Sequence, residues 1–275
     1  MLYETITREK NPEVTLKTFV MDPIPGMLGG DIRPAVVICP GGAYAFLSPR
    51  ESESLAVWFN ANGFHAFVLN YSVNQERDSK KPLKDRPLMD ASWALSLIRA
   101  RAGEWHLDPE RIAIMGFSAG GHAAASLGVF WNREDIPQKL GIPKNSNKPN
   151  ALVLCYPVIL AGEFSHMGSL ANLCGDDPEE QLKMSLDRFV GEQTPPTFLW
   201  HTMEDGSVPV ENSMFFAAAL RRYNVPFELH IFEKGGHGLS TCQADVSGSE
   251  SGILPETGRW MELCLTFLRR QFKML

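Results

Sequence analysis

No stretch of this sequence approaches the roughly 20 consecutive apolar residues that a membrane-spanning helix needs, and this argues against a membrane protein. An excess of positive charge is missing too. The 26 Lys and Arg stand against 32 Asp and Glu, for a net charge of −6, which argues against a nucleic-acid or anionic-membrane surface. The five cysteines (39, 155, 174, 242, 264) are scattered, odd in number and without C-x-x-C spacing. Cys39 and Cys155 lie in apolar runs as small buried thiols, and a reduced cytoplasmic compartment fits this usage. The opening residues Met1 to Ile6 contain no basic patch leading into an apolar stretch, so no secretory signal is read there. There is no His-x-x-x-His and no clustered Asp/His spacing, so neither a metal nor another cofactor is expected. Internal repeats and low-complexity tracts are absent.

What is present is a repeated alternation of strand and helix patterns. Val14 to Val20 alternates and suggests a half-exposed edge strand. Residues 22 to 34 read as a Pro- and Gly-rich loop. Ala35 to Cys39 is continuously apolar, as an interior strand buried on both faces would be. Residues 51 to 62 have helical spacing and end at Asn62-Gly63; His65 to Tyr71 is again a strand, and Leu88 to Ala102 a helix. Further strands are expected at 111–115, after a turn at Asp108-Pro109, and at 151–157, 197–201 and 227–232, with helices at 123–127, 211–222 and about 255–272. Asn132 to Asn150 is polar, and residues about 160–194 interrupt the alternation as a small lid or cap. With 275 residues and 44 % of them hydrophobic, the chain suits one α/β domain over 1–275: a mainly parallel sheet with helices on both faces.

The chain is organised around Arg111 to His122, where an apolar β-branched run reaches Gly116-Phe117-Ser118-Ala119-Gly120 and passes into an Ala-rich helix. Glycines at 116 and 120 remove side chains that would collide in so sharp a reversal, and the turn pushes the Ser118 hydroxyl out above the sheet. A serine needs a base that works near pH 7, which points to histidine. Of the seven, His65 and His230 lie in strands, His201 ends one, His106 precedes Asp108-Pro109, and His166 falls in the lid. His122 belongs to the buried helix after the turn. His237, in Lys234-Gly235-Gly236-His237-Gly238, follows the last strand on a loop able to bend back over the sheet. Functional groups of open parallel sheets gather at the carboxyl ends of strands, so His237 is the chosen base. The partner carboxylate is Asp205, with Glu204 as rival. The backbone N–H of Ala119, with others from Gly41-Gly42-Ala43 in the loop after residue 39, can receive an oxyanion. Tyr44 and Tyr71 are candidate walls of a substrate pocket.

These stretches (Cys39 to Tyr44, Asp108 to Ile112, Gly116 to His122, Pro195 to His201, Asp205 to Pro209 and Gly236 to Gly238) resemble the α/β-hydrolase esterases related to hormone-sensitive lipase, in particular the acetyl-xylan-esterase-like branch. They span about residues 35 to 240. The resemblance implies a triad of Ser118, Asp205 and His237, with an oxyanion hole from the backbone N–H groups of Gly42, Ala43 and Ala119. It implies removal of short acyl groups, chiefly acetyl, from a small-molecule ester or an acetylated oligosaccharide. A homo-oligomer is compatible with the pattern. One departure stands out: the related esterases usually begin the oxyanion motif with histidine, and here Pro40 occupies that place. Amide cleavage, as by a peptidase or arylformamidase, and a non-catalytic binding protein on the same scaffold are the rival readings.

Overall fold

The computed structural model describes residues 1–27 and 29–274; Leu28, within the loop expected at 22–34, lies outside the described residues. Among the described residues eight strands form one sheet: β1 (Thr5–Arg8), β2 (Asn11–Phe19), β3 (Arg33–Cys39), β4 (His65–Asn70), β5 (Leu107–Phe117), β6 (Ala151–Cys155), β7 (Thr197–Thr202) and β8 (Phe227–Phe232). Their order across the sheet is β1-β2-β4-β3-β5-β6-β7-β8. β1 and β2 run antiparallel, and every pairing from β4–β3 to β7–β8 is parallel. The helices are α1 (Glu53–Ala61), α2 (Arg86–Ala100), α3 (Ala119–Phe130), α4 (Asp135–Leu140), α5 (Met167–Cys174), α6 (Pro178–Leu182), α7 (Glu211–Arg222), α8 (Pro255–Gly258) and α9 (Trp260–Gln271).

The alternation along each strand decides which side chains meet which helices. Val37, Ile114, Leu152 and Leu199 point to the face covered by α2, α3 and α7, where Leu95, Ile98, Leu127 and Leu220 are buried. Val36, Met115, Val153 and Phe198 point to the opposite face, closed by α1 and α9 through Leu55, Phe59, Trp260 and Leu268. A sheet covered on both sides requires strands buried along their whole length, as β3 and β6 are.

Three expectations need correcting. The strand over 14–20 is not at the edge, because the four-residue β1 pairs outside it, with Ile6 opposite Leu16. So short a polar strand carries no visible alternation. The polar stretch 132–150 contains α4, and the C-terminal helix is broken between Gly258 and Trp260. Segment 160–194 forms three short helical pieces, α5, α6 and a 3-10 turn over Leu186–Phe189. It rests on the strand-end side: Leu186 N–H donates to the Ile159 carbonyl, and Leu83 N–H to that of Asn172. Because β3, β5, β7 and β8 are parallel, the loops that follow them emerge along a single edge.

Candidate active site

Ser118 stands between β5 and α3 with φ 53° and ψ −119°, a conformation that a residue with a Cβ adopts only when its surroundings enforce it. The enforcement is visible. Ser118 N–H donates to the Cys155 carbonyl at 3.0 Å, while its own carbonyl accepts from Val158 N–H at 3.0 Å and His122 N–H at 3.2 Å. A Cβ on Gly116 would lie 2.1 Å from the Gly120 carbonyl oxygen, and one on Gly120 would lie 2.1 Å from that of Cys39. Only glycine fits at either place, so the spacing Gly-x-Ser-x-Gly follows from the packing of the turn.

His237 Nε2 lies 2.8 Å from Ser118 Oγ, and His237 Nδ1 lies 2.7 Å from Asp205 Oδ2. Asp205 Oδ1 accepts the N–H groups of Ser207 and Val208, at 3.0 and 2.9 Å. His201 Nε2 adds a donor at 3.2 Å to Oδ2, while its Nδ1 takes the Ser213 hydroxyl at 2.8 Å. Burial alone would raise the Asp205 carboxyl, but the hydrogen bonds from His201 and His237 outweigh it and hold the group well below the usual carboxylate range. An ionised Asp205 accepts only, so His237 carries its proton on Nδ1 and leaves Nε2 to receive that of Ser118. The rival Glu204 points away. It binds Lys234 Nζ at 2.8 Å and Gly235 N–H at 3.0 Å on the outer surface.

The oxyanion candidates lie in the loop after β3 and at the start of α3. Ala43 has φ 54° and Tyr44 φ 58°, held by Asn172 Nδ2 on the Ala43 carbonyl (2.9 Å) and Asn74 N–H on the Tyr44 carbonyl (2.7 Å). Among the described residues the N–H groups of Gly42 and Ala43 make no hydrogen bond. That of Ala119, first in α3, has no helical carbonyl four residues back. Gly41 N–H is already taken by Glu51 Oε2 at 2.7 Å.

His122, four residues from Ser118, serves a different purpose. Its Nδ1 takes the Tyr44 hydroxyl at 2.9 Å and its Nε2 donates to the Met184 carbonyl at 3.0 Å. Burial lowers its pKa to about 4, against the pull of the Met184 bond, so the ring stays neutral. Tyr44 and Tyr71 are not pocket walls. Each is 1 % exposed; the Tyr44 hydroxyl is held by His122, and that of Tyr71 donates to the Pro40 carbonyl at 2.5 Å. Their phenol groups anchor the Pro40–Tyr44 loop from behind. Sequence reasoning passed over His201, Glu51 and Tyr156. The nearest signal was His201 at a strand end four residues before Asp205.

A mostly parallel sheet covered on both faces, with its strained serine turn at the centre, defines an α/β-hydrolase. The BD-FAE profile matches residues 25–220, and the chain belongs to that family of α/β-hydrolases. It is 38 % identical over 224 residues to endo-1,4-beta-xylanase B of Butyrivibrio fibrisolvens, covering 80 % of this chain and 34 % of that protein. It is 31 % identical over 238 residues to acetylxylan esterase of Xylanibacter ruminicola, covering 83 % of this chain and 45 % of that protein. The chain therefore spans less than half the length of these two relatives. Among solved structures, the acetyl ester-xyloside bifunctional hydrolase of Caldicellulosiruptor lactoaceticus superposes with a TM-score of 0.78 at 36 % identity, over 96 % of this chain and 91 % of that one. A carboxylesterase of Lactobacillus plantarum reaches a TM-score of 0.85 at 25 % identity, over 98 % of both.

Proposed function

We propose that the chain is a serine-dependent carboxylic ester hydrolase that removes short acyl groups, chiefly acetyl, from carbohydrate such as acetylated xylo-oligosaccharides. The observation that carries this reading is the unbroken hydrogen-bonded line Ser118–His237–Asp205, 2.8 and 2.7 Å. In the proposed cycle Ser118 Oγ attacks the ester carbonyl as its proton passes to His237 Nε2. The resulting oxyanion is received by the N–H groups of Gly42, Ala43 and Ala119, and Asp205 steadies the imidazolium. His237 then hands the proton to the departing sugar oxygen. Water, deprotonated by the same nitrogen, attacks the acyl-serine, and the proton returns to Ser118 Oγ as the acid leaves. The carbohydrate preference is drawn from the names of the xylan-acting relatives. In this reading residues 1–275 are a single domain and 160–194 its lid, a view supported by the bond from Asn172 to Ala43. The five free cysteines support a reducing, cytoplasmic setting, and among the described residues no helix is long and apolar enough to cross a membrane.

The deciding experiment compares p-nitrophenyl acetate, an acetylated xylo-oligosaccharide and an aminoacyl-anilide on wild type and Ser118→Ala. Both esters are expected to turn over in preference to the anilide, and Ser118→Ala is expected to lose about 10⁴-fold or more in kcat. A fluorophosphonate should label the wild type at Ser118. Preferential anilide cleavage would make the chain an amidase, and a folded wild type that neither labels nor hydrolyses would leave a binding protein.

A further inference from the structure

A second carboxylate lies under the site, and the cycle above makes no use of it. Glu51 ends the 3-10 turn Pro49–Glu51 and is 2 % exposed. Its Oε2 accepts Gly41 N–H at 2.7 Å and its Oε1 accepts the Tyr156 hydroxyl at 2.6 Å. Tyr156, just beyond β6, in turn accepts Ser240 N–H at 2.9 Å. Ser240 Oγ donates to the Arg50 carbonyl at 2.6 Å, which closes a ring of bonds. The Tyr156 and His237 rings meet edge to face, 5.1 Å between centroids. Space is tight as well: a Cβ on Gly41 would lie 2.8 Å from Glu51 Oε2 and 3.0 Å from Ser118 Cβ. With Ser240 N–H donating to the phenol oxygen, the phenol proton goes to Glu51, so both carboxylate oxygens are acceptors. Meanwhile Pro40, which stands where the related esterases usually have histidine, contributes no N–H donor.

We propose that Glu51 is a positioning residue that locks the oxyanion loop to the histidine loop. Through one carboxylate oxygen it fixes Gly41, next to the donors Gly42 and Ala43, and through the other and Tyr156 it fixes Ser240, three residues beyond His237. The inference rests on the serine-hydrolase reading above. A side chain in this role never touches the substrate. It sets where the donors stand relative to Ser118, so its loss acts on the oxyanionic transition state and leaves ground-state binding largely intact.

The test uses Glu51→Ala, Glu51→Gln, Tyr156→Phe and Ser118→Ala with p-nitrophenyl acetate, counting active sites with a fluorophosphonate and following folding by circular dichroism. A trifluoromethyl ketone, whose serine adduct carries the oxyanion, gives a second readout. Glu51→Ala is expected to lower kcat per active site by about 30- to 100-fold with KM within about twofold, and to weaken the ketone by a similar factor. Glu51→Gln should recover most of this, since its amide oxygen still accepts Gly41 N–H while its NH₂ group donates to the Tyr156 oxygen. Tyr156→Phe keeps the ring against His237 and should cost about tenfold in kcat. Should the alanine variant not fold, the glutamine and phenylalanine variants decide: kcat and ketone affinity at wild-type level in Tyr156→Phe overturn the role. So does a kcat per active site unchanged in folded Glu51→Ala, or a loss carried by KM. If Ser118→Ala retains wild-type turnover, the serine-hydrolase reading itself falls and the positioning role with it. A dead Ser118→Ala beside a normal Glu51→Ala removes the positioning role alone.

Discussion

Asp205 and Glu51 are both buried carboxylates, each one hydrogen bond from a loop that meets Ser118, yet the protein moves them in opposite directions. The Asp205 carboxyl is held far below its usual range. Burial pushes that of Glu51 up, against the lowering influence of Tyr156, Gly41, His237 and Arg50. The number of donors accounts for the difference. Asp205 collects four, from His201, His237, Ser207 and Val208; Glu51 has two, from Gly41 and Tyr156. Losing water costs both groups, and only sufficient donors reverse the balance. The carboxylate with more donors faces His237, which in the proposed cycle gains a positive charge. The other faces a loop that needs only to be held still.

The largest effect that could break this comparison belongs to Asp205→Asn. Its amide presents the wrong partner to His237 Nδ1, so the imidazole loses the tautomer able to accept from Ser118. A fall in kcat of about 10⁴-fold is expected, against the far smaller loss in Glu51→Gln. Stability should separate the pair as well. Because the folded pKa of Asp205 is depressed, its contribution is fully present above the unfolded value near ~3.9 and is lost as pH falls through the folded one. Asp205→Asn should therefore cost roughly 2 kcal/mol at pH 7, a deficit that shrinks below about pH 4. Glu51, whose folded pKa is raised, has the reverse sign: wild type gains on Glu51→Gln as pH falls from neutral toward the unfolded value. Urea titrations across pH read both slopes, and parallel slopes would refute the contrast.

How far the sequence discloses this arrangement depends on the range of the interactions involved. The turn at Ser118 is largely a local packing problem, set by the glycines at 116 and 120. Asp205 and His237 follow from the rule that loops at the carboxyl ends of parallel strands share an edge. Glu51 obeys no such local rule. At the start of a segment with helical spacing it looks like a surface residue, and its hydrogen-bond partner Tyr156 lies 105 residues away. The two tyrosines illustrate the same limit. An aromatic ring near a catalytic loop is equally compatible with lining the pocket and with packing behind it, and only the third dimension put Tyr44 on His122 and Tyr71 on the Pro40 carbonyl. The strand β1 escaped notice because four residues are too few to show a period.

His122 tests the Asp205 side of the comparison at intermediate size. It tolerates burial by remaining neutral, with its pKa lowered to about 4. An unfolded histidine titrates near ~6.5, so the unfolded chain takes up this proton first and the fold loses stability as pH falls from that value toward 4. His65, lowered by burial to about 4 as well, adds a second proton of the same sign. Replacing His122 by Ala leaves the Tyr44 hydroxyl and the Met184 carbonyl without their partner and opens a cavity. The expected cost is about 2–4 kcal/mol in chemical unfolding, with kcat per active site within about threefold of wild type. It should also flatten the stability loss between pH 6.5 and 4. If folded His122→Ala loses catalysis as heavily as His237→Ala, then His237 is not the sole base, and Asp205 is not placed where the reaction needs it.

The smallest effect is expected at Glu204, adjacent in sequence to Asp205 and the rival for its place. Its carboxylate is 50 % exposed and meets Lys234 in an ion pair also open to solvent. Water screens such a pair, so it adds little to stability. The second bond, to Gly235 N–H, tethers the start of the histidine loop from outside, two residues before His237. Glu204→Gln retains an oxygen for that N–H and surrenders only the charge. Its unfolding midpoint should stay close to that of wild type, with kcat within about twofold. The residual difference should disappear at high salt, where the wild-type pair is screened. Steady-state kinetics and urea unfolding at low and at 1 M salt measure this directly. A loss approaching that of Asp205→Asn would transfer the catalytic carboxylate to position 204, and would mean that burial and donor number do not choose between neighbouring carboxylates.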